Sequence, residues 1–283
     1  MAGLAVALIA TASLWGSDLR MGSMLIADEF ALAVNVVALA TLGLLVLVSA
    51  AAVEHHPRQG AFYAALLLAA LALGLLSAAT DLIALVLACE LFSIAAYLLA
   101  RLLRQDLRSD EAALKFFLYN LLCTALLLYG LSWFYGLTGS TSLERIAEAV
   151  RASGDTLRPA LLPALILVVL GLAAKTTAVP FHQWVPDVVE GAPAPVAAFL
   201  VVAPPIAGLA ALARLLLTAL PTDSGFALDW RTLLVTLAVL TMAAGNLLAL
   251  WQRNVRRLLG YTSVAQIGYV LVGLTAASPQ GVA

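Results

Sequence analysis

Two lysines, one glutamate and one histidine stand where ionisable side chains are uncommon. Lys175 lies in the apolar stretch GLAAKTTAVPFH, Glu90 in DLIALVLACELFSIAAYLL and Lys115 in EAALKFFLYNLL, while His182 follows Pro180 in PFHQWVPD. Each of the four can gain and lose a proton, which an arginine guanidinium does not do. An ionisable group near the centre of a membrane helix costs about 2.5–3.5 kcal/mol on insertion scales, so such residues usually face the inside of a bundle and have a task. Arginine outnumbers lysine thirteen to two, and both lysines sit inside apolar runs while the loops use arginine. The chemistry suggested by this distribution is proton transfer between buried groups.

Lys175 precedes Pro180 by five residues. Proline cannot donate to the helical ladder, and its ring clashes with the carbonyl four residues back, here that of Thr176. The spacing therefore predicts a helix that breaks just after Lys175, where freed carbonyls can solvate a cation. The alternative is a lysine that snorkels to an interface. Glu90 is eleven residues before Arg101, roughly 16 Å along a helix and so near mid-bilayer; a protonated acid bonded to a neighbouring helix is the other reading. Lys115 is one turn into its run with Glu111 four residues earlier, the favourable order for a helical ion pair. An interfacial pair and a relay role both fit it. His182 could shuttle protons near neutral pH or simply bond to the helix break. His55 and His56 fall in a loop and read as solvated. Arg214 is intramembrane by position but cannot pass a proton on. Cys89 and Cys123 lie in apolar runs and read as packing residues.

These residues need a membrane bundle to hold them. Of 283 residues 63% are apolar and 11% charged, against about 25% charge in a soluble domain; a soluble fold could not hide that much apolar surface. The net charge of −1 gives no nucleic-acid footprint. Apolar runs recur near 2–15, 30–53, 61–79, 82–100, 112–136, 160–179, 194–220, 232–251 and 258–276. They predict about nine membrane segments, the first too short for a full span of roughly 20 residues. No basic region precedes that first run and no clear cleavage site follows it, so it does not read as a signal peptide. Backbone groups in lipid need internal partners, so the segments must be helices. Their many small residues suit a packed bundle. The expected fold is all-α, with no strand evident.

Loops 101–111, with Arg101, Arg104 and Arg108, and 252–257, with Arg253, Arg256 and Arg257, are four segments apart and fall on one side, the cytoplasmic side by the positive-inside rule. On the other side Leu143, Ile146, Ala147 and Val150 follow helical spacing among charges, which predicts a short interfacial helix. Trp15, Trp133, Trp230 and Trp251 fall near segment ends and read as an interfacial belt.

The run AAKTTAVPFHQWVPDVVEGAPAPVAAFL (173–200), with LACELFSIAAYL (87–98), EAALKFFLYNLL (111–122) and GNLLALWQRNVRRLLGYTSVAQIGYVLVGL (245–274), resembles the antiporter-like membrane subunits of the proton-pumping NADH–quinone oxidoreductase, respiratory complex I. The PDVVEGAPAPV portion is more similar to the N type than to the L and M types or the multi-subunit cation/proton antiporters. The resemblance covers essentially the whole chain. It implies a polytopic bundle built on inverted five-helix repeats, each with a broken helix. Residues 1–283 would form one membrane domain, 61–220 the first repeat and 230–283 the incomplete start of the second. It implies that Lys175, Glu90 and Lys115 form a proton relay in which Glu90 influences Lys175, with His182 a possible further member. The chain itself would hold no cofactor and no metal, with NADH, FMN, iron–sulfur clusters and quinone belonging to other subunits. Its partners would be the lipid bilayer and other membrane-arm subunits, further antiporter-like ones included, and its place the inner (plasma) membrane.

Two departures from the family pattern matter. The chain stops at Ala283 with the second repeat only begun, and so reads as a fragment, a truncated gene or a short relative. Pro205, within VVAPPIAG, stands where the family usually carries another lysine, and two prolines should kink that helix. A subunit of a cation/proton antiporter and a transport-inactive scaffold are the competing functions.

Overall fold

A computed structural model describes residues 2–103, 107–220 and 226–276; Arg104 and the part of the 230–283 segment beyond Ala276 lie outside the described residues. The helices are α1 (Ala2–Ser13), α2 (Glu29–Val53), α3 (Gln59–Ala78), α4 (Leu82–Leu102), α5 (Leu107–Thr138), α6 (Leu143–Ser153), α7 (Arg158–Lys175), α8 (Trp184–Gly191), α9 (Ala194–Ala219), α10 (Phe226–Leu250) and α11 (Val255–Thr275). Eight of them, α2 to α5, α7 and α9 to α11, are long and apolar enough to cross a membrane. The first apolar run forms only the twelve-residue α1, too short for that. The chain is a multi-pass membrane protein.

One strand element was not legible from residue pattern. Three-residue strands β1 (Leu19–Met21) and β2 (Leu25–Ala27) pair antiparallel, with Arg20 opposite Ile26. Strands this short carry no readable alternation of apolar and polar residues. Helix starts follow local chemistry. Asp28 caps α2 by accepting from the Ala31 N–H at 2.9 Å, Asp81 caps α4 through the Ile83 N–H at 2.8 Å, and Asn254 caps α11 through the Arg256 N–H at 3.0 Å. Each satisfies an amide left without a helical partner.

Helix α9 is the most enclosed span and packs against α2, α3, α4, α6, α7 and α8. Pro204 and Pro205 are buried within it, and it runs as helix through both. They remove the amide donors that the carbonyls of Leu200 and Val201 would otherwise receive. Helices α10 and α11 form a hairpin against α8 and α9. The amphipathic α6 buries Leu143, Ile146, Ala147 and Val150, the four residues whose spacing predicts it.

The ends of the helices define two polar faces. On one, Arg158 forks onto Asp229 at 2.8 and 2.9 Å, Arg214 onto Asp28 at 2.6 and 2.7 Å, and Arg20 meets Glu144 at 2.8 Å. On the other, the starts of α5 and α11 meet α8 through Lys115, Asp187 and Arg257. Loops 101–111 and 252–257 therefore share a face. Trp15 and Trp251 are exposed, whereas Trp230 is fully buried. Trp230 lies in the first turns of α10, and packing encloses its ring instead of leaving it in an interfacial belt.

Candidate proton-transfer site

Helix α7 ends at Lys175, as the position of Pro180 predicts. The ending is a Schellman motif: the Ala178 N–H reaches the Ala173 carbonyl at 2.8 Å and the Thr177 N–H the Ala174 carbonyl at 3.2 Å. Thr177 takes the left-handed position, with φ of 60°, a place that glycine usually fills and a β-branched residue rarely does. The chain resumes as helix at Trp184. Within the break the Val179–Pro180 bond is cis, and the Val179 N–H donates to Thr241 on α10 at 3.1 Å.

Lys175 is 3% exposed and does not snorkel. Its Nζ lies 3.1 Å from Glu90 Oε1, 2.7 Å from Ser93 Oγ and 3.4 Å from Thr124 Oγ1. Three acceptors match the three N–H donors of an ammonium group. Both hydroxyls are turned to accept from the lysine, because their own protons go elsewhere: Ser93 donates to the Cys89 carbonyl at 2.9 Å and Thr124 to Glu90 Oε1 at 2.7 Å. Ser93 is one turn after Glu90 on α4, so the two share a helical face. Thr124 projects from α5 and Lys175 from the broken α7, so the site is a junction of three helices.

Close packing makes the junction possible. A Cβ built on Gly171 of α7 would lie 2.7 Å from the Leu127 backbone nitrogen of α5, and one on Gly208 of α9 would lie 2.6 Å from the Thr176 backbone nitrogen. Both distances are below any real Cβ contact. Helix α5 meets α7, and α9 meets the break, at separations that only glycine permits.

Lys115 belongs to a second, more open cluster. It pairs with Glu111 at 2.8 Å, the expected one-turn pair, and also with Asp187 of α8 at 2.7 Å. Asp187 in turn takes Arg257 of α11 at 2.6 Å. His182 is buried, with its ring centre 6.3 Å from that of Tyr261. Among the described residues its Nδ1 has no hydrogen-bond partner, and no bond joins it to either lysine cluster. The structure thus brings Lys175 and Glu90 together, sets Lys115 apart in its own cluster and leaves His182 in the break.

The family model described as NADH:quinone oxidoreductase/Mrp antiporter, transmembrane, matches residues 79–283, which include all four of these side chains. The chain belongs to this family. Among curated relatives, NADH-quinone oxidoreductase subunit N of Desulfovibrio desulfuricans is 44% identical over 287 residues, covering 99% of this chain and 56% of the relative. In the structure of respiratory complex I from Thermus thermophilus with bound aureothin, a chain 34% identical superposes with a TM-score of 0.82, covering 98% of this chain and 58% of that one. A chain of the Mrp complex from Dietzia sp. DQ12-45-1b also superposes with a TM-score of 0.82 at 22% identity, a likeness of fold alone. The chain spans just over half the length of each of these matched proteins.

Ser93, Thr124, Asp187, Glu190 and Arg257 were not singled out as site residues, Arg257 having entered only through the charge of its loop. Ser93 and Thr124 had a signal, each being a hydroxyl within an apolar run and Ser93 lying three residues from Glu90. The meeting of Asp187 and Glu190 with Arg257 depends on how α11 folds back, and nothing in local spacing announces it. Among the described residues no group of three or more histidine, cysteine or acidic side chains is placed to hold a metal.

Proposed function

We propose that this chain works as a proton-translocating, N-type antiporter-like membrane subunit of an NADH–quinone oxidoreductase. One observation carries the reading: Lys175 is buried at the end of a broken helix with its ammonium held by Glu90, Ser93 and Thr124. A buried cation with all its donors satisfied is a proton store. It empties when one acceptor moves or loses its charge, since a neutral amine has only two N–H groups and offers a lone pair instead. Glu90, an acid that can be neutralised, is the acceptor suited to that control. Lys115, with Glu111 and Asp187, is the loading group on the cytoplasmic face, and His182 is a further polar station in the break.

In this reading residues 61–220 are the first inverted repeat and 230–283 the start of the second. Redox groups and quinone belong to partner subunits, consistent with the naming of the relatives. The family description, which names Mrp antiporters beside the oxidoreductases, favours one alternative, a cation/proton antiporter subunit, in which proton movement would follow a cation gradient and not NADH oxidation.

The test is proton translocation per NADH oxidised in sealed vesicles, with assembly checked on native gels. Lys175→Ala and Lys175→Arg are both expected to lower the ratio in assembled complexes, because arginine stays charged at working pH. Normal pumping by Lys175→Arg would end the relay reading for this residue. Proton movement in wild-type vesicles driven by a sodium gradient without NADH would favour the antiporter.

A further inference from the structure

The cytoplasmic cluster lines an open polar cleft of about 310 Å³, formed by Glu111, Lys115, Asp187, Glu190 and Arg257 with Ala112 and Gly191. Two cations face three carboxylates there. Lys115 lies between Glu111 at 2.8 Å and Asp187 at 2.7 Å. A single Arg257 nitrogen, Nη1, reaches Asp187 Oδ1 at 2.6 Å and Glu190 Oε2 at 3.0 Å. Asp187 is thus shared: one oxygen faces the lysine and the other the arginine.

Holding α8 against α11 does not depend on Arg257 alone. Asn254 reaches Glu190 Oε1 at 3.0 Å and Arg256 the Glu190 carbonyl at 3.3 Å. A Cβ on Gly260 of α11 would lie 3.1 Å from Pro186 Cα of α8, so the two helices are in backbone contact as well. Arg257 is therefore available for something other than attachment. It is a fixed charge that does not deprotonate, beside a lysine that can.

We propose that Arg257 is a positioning residue for Lys115: by occupying Asp187 and Glu190, it keeps the negative charge of the cleft from clamping the Lys115 ammonium. The inference deepens the reading of Lys115 as the loading group. A lysine gripped by two fully free carboxylates stays charged and immobile. One whose second carboxylate is shared can leave it, approach water and hand its proton on. With Arg257 present the five charged groups sum to one negative charge; without it they sum to two. Removing Glu111 as well restores the original balance without restoring any contact that Arg257 makes. That separates a charge-setting role from a purely structural one.

The experiment uses the intact complex and the variants Arg257→Gln, Arg257→Lys, Glu111→Gln and the double variant Arg257→Gln with Glu111→Gln. The first readout is the rate at which a small amine-acylating reagent modifies Lys115, followed by mass spectrometry of its peptide. The chain has only two lysines, and Lys175 is 3% exposed, so Lys115 is the reactive one. Arg257→Gln should slow acylation about threefold, the size expected for a partly exposed ion pair. Arg257→Lys should keep the wild-type rate, and the double variant should recover it. The second readout, NADH-driven proton translocation, should fall in Arg257→Gln and be kept in Arg257→Lys. Unchanged or faster acylation in Arg257→Gln, or a double variant worse than either single one, would overturn the proposal. Wild-type vesicles without NADH-driven pumping would defeat the functional reading, while the acylation series would still decide the role of Arg257.

Discussion

Lys175 Nζ stands 3.1 Å from Glu90 Oε1, with the lysine side chain 2% exposed and the glutamate 37%. The cation is sealed and its counter-ion opens toward the surroundings of the chain. A neighbouring charge can therefore act on Glu90 without entering the core, and the effect passes to Lys175 through a single hydrogen-bonded contact. Glu90→Gln keeps an oxygen that can accept from the lysine but removes the charge. The expected outcome is an assembled complex whose proton translocation per NADH falls, though less than in Lys175→Ala, because the glutamine alters the site without deleting the lysine. Vesicle pumping assays on the two variants side by side check this ordering.

The two hydroxyls at the site accept from Lys175 while donating elsewhere. Thr124→Val keeps the shape of the side chain and removes one acceptor from the ammonium, and also frees Glu90 from its hydroxyl partner. Leaving a buried donor unsatisfied costs about 1–3 kcal/mol, and more when the donor is charged. Thr124→Val and Ser93→Ala should each lower pumping, whereas Thr124→Ser should retain it. Equal pumping by valine and serine variants at position 124, measured in assembled complexes, would show that the hydroxyl has no part in the site.

The fold was legible where the membrane dictates it. Eight apolar runs became eight spans, and Pro180 marked the end of α7 at Lys175, because lipid and proline each impose a local rule. Glu90 and Lys175 were legible as buried charges for the same reason, yet their 3.1 Å contact was not, since 85 residues separate them. The position of Arg257 against Asp187 was hidden for a further reason: it is set by the return of α11 onto α8, a tertiary event with no periodic trace. Trp230 shows the limit of reading by position. Its place near a segment end suggested an interface, and packing buried it.

Asp28 and Arg214 should govern acid stability on the opposite face. Burial opposes ionisation of Asp28, but its hydrogen bonds from Arg214 and from the Ala31 N–H outweigh this and hold its carboxyl below the usual range. A carboxyl held low in the folded state stabilises the fold above its unfolded value of about 3.9, and that contribution is lost as pH falls through the lower folded value. Thermal unfolding of the solubilised complex should therefore lose stability below about pH 4, and Asp28→Asn should show less of that loss while starting less stable at neutral pH. Arg214→Met strands Asp28 and the Ser77 carbonyl that Arg214 also bonds at 2.9 Å. The stranded carboxylate is partly and the stranded carbonyl fully buried, so losing their partner destabilises the fold, and a lower melting temperature at pH 7 is the expected result.

Gly208 offers the sharpest test of how the break is held. The atoms that a Cβ there would meet are the Thr176 nitrogen at 2.6 Å and the Lys175 carbonyl carbon at 2.7 Å, with the Thr176 methyl also at 2.7 Å. Two of the three are backbone, so no rotamer change makes room, and α9 must move away from the end of α7. Overpacking of this kind costs about 1–3 kcal/mol. In an unobstructed helix the same substitution would be neutral or stabilising, since alanine is the better helix former by about 1 kcal/mol. Gly136 of α5, where a Cβ meets nothing within 4 Å, provides that control. Gly208→Ala should lower the melting temperature and reduce pumping although no ionisable group has changed, while Gly136→Ala should do neither. Adding Thr176→Ser should not rescue Gly208→Ala, because it removes the methyl and leaves the backbone contacts. Recovery in that double variant, followed by thermal unfolding and vesicle pumping, would mean that side-chain crowding and not the backbone approach of α9 sets the geometry around Lys175.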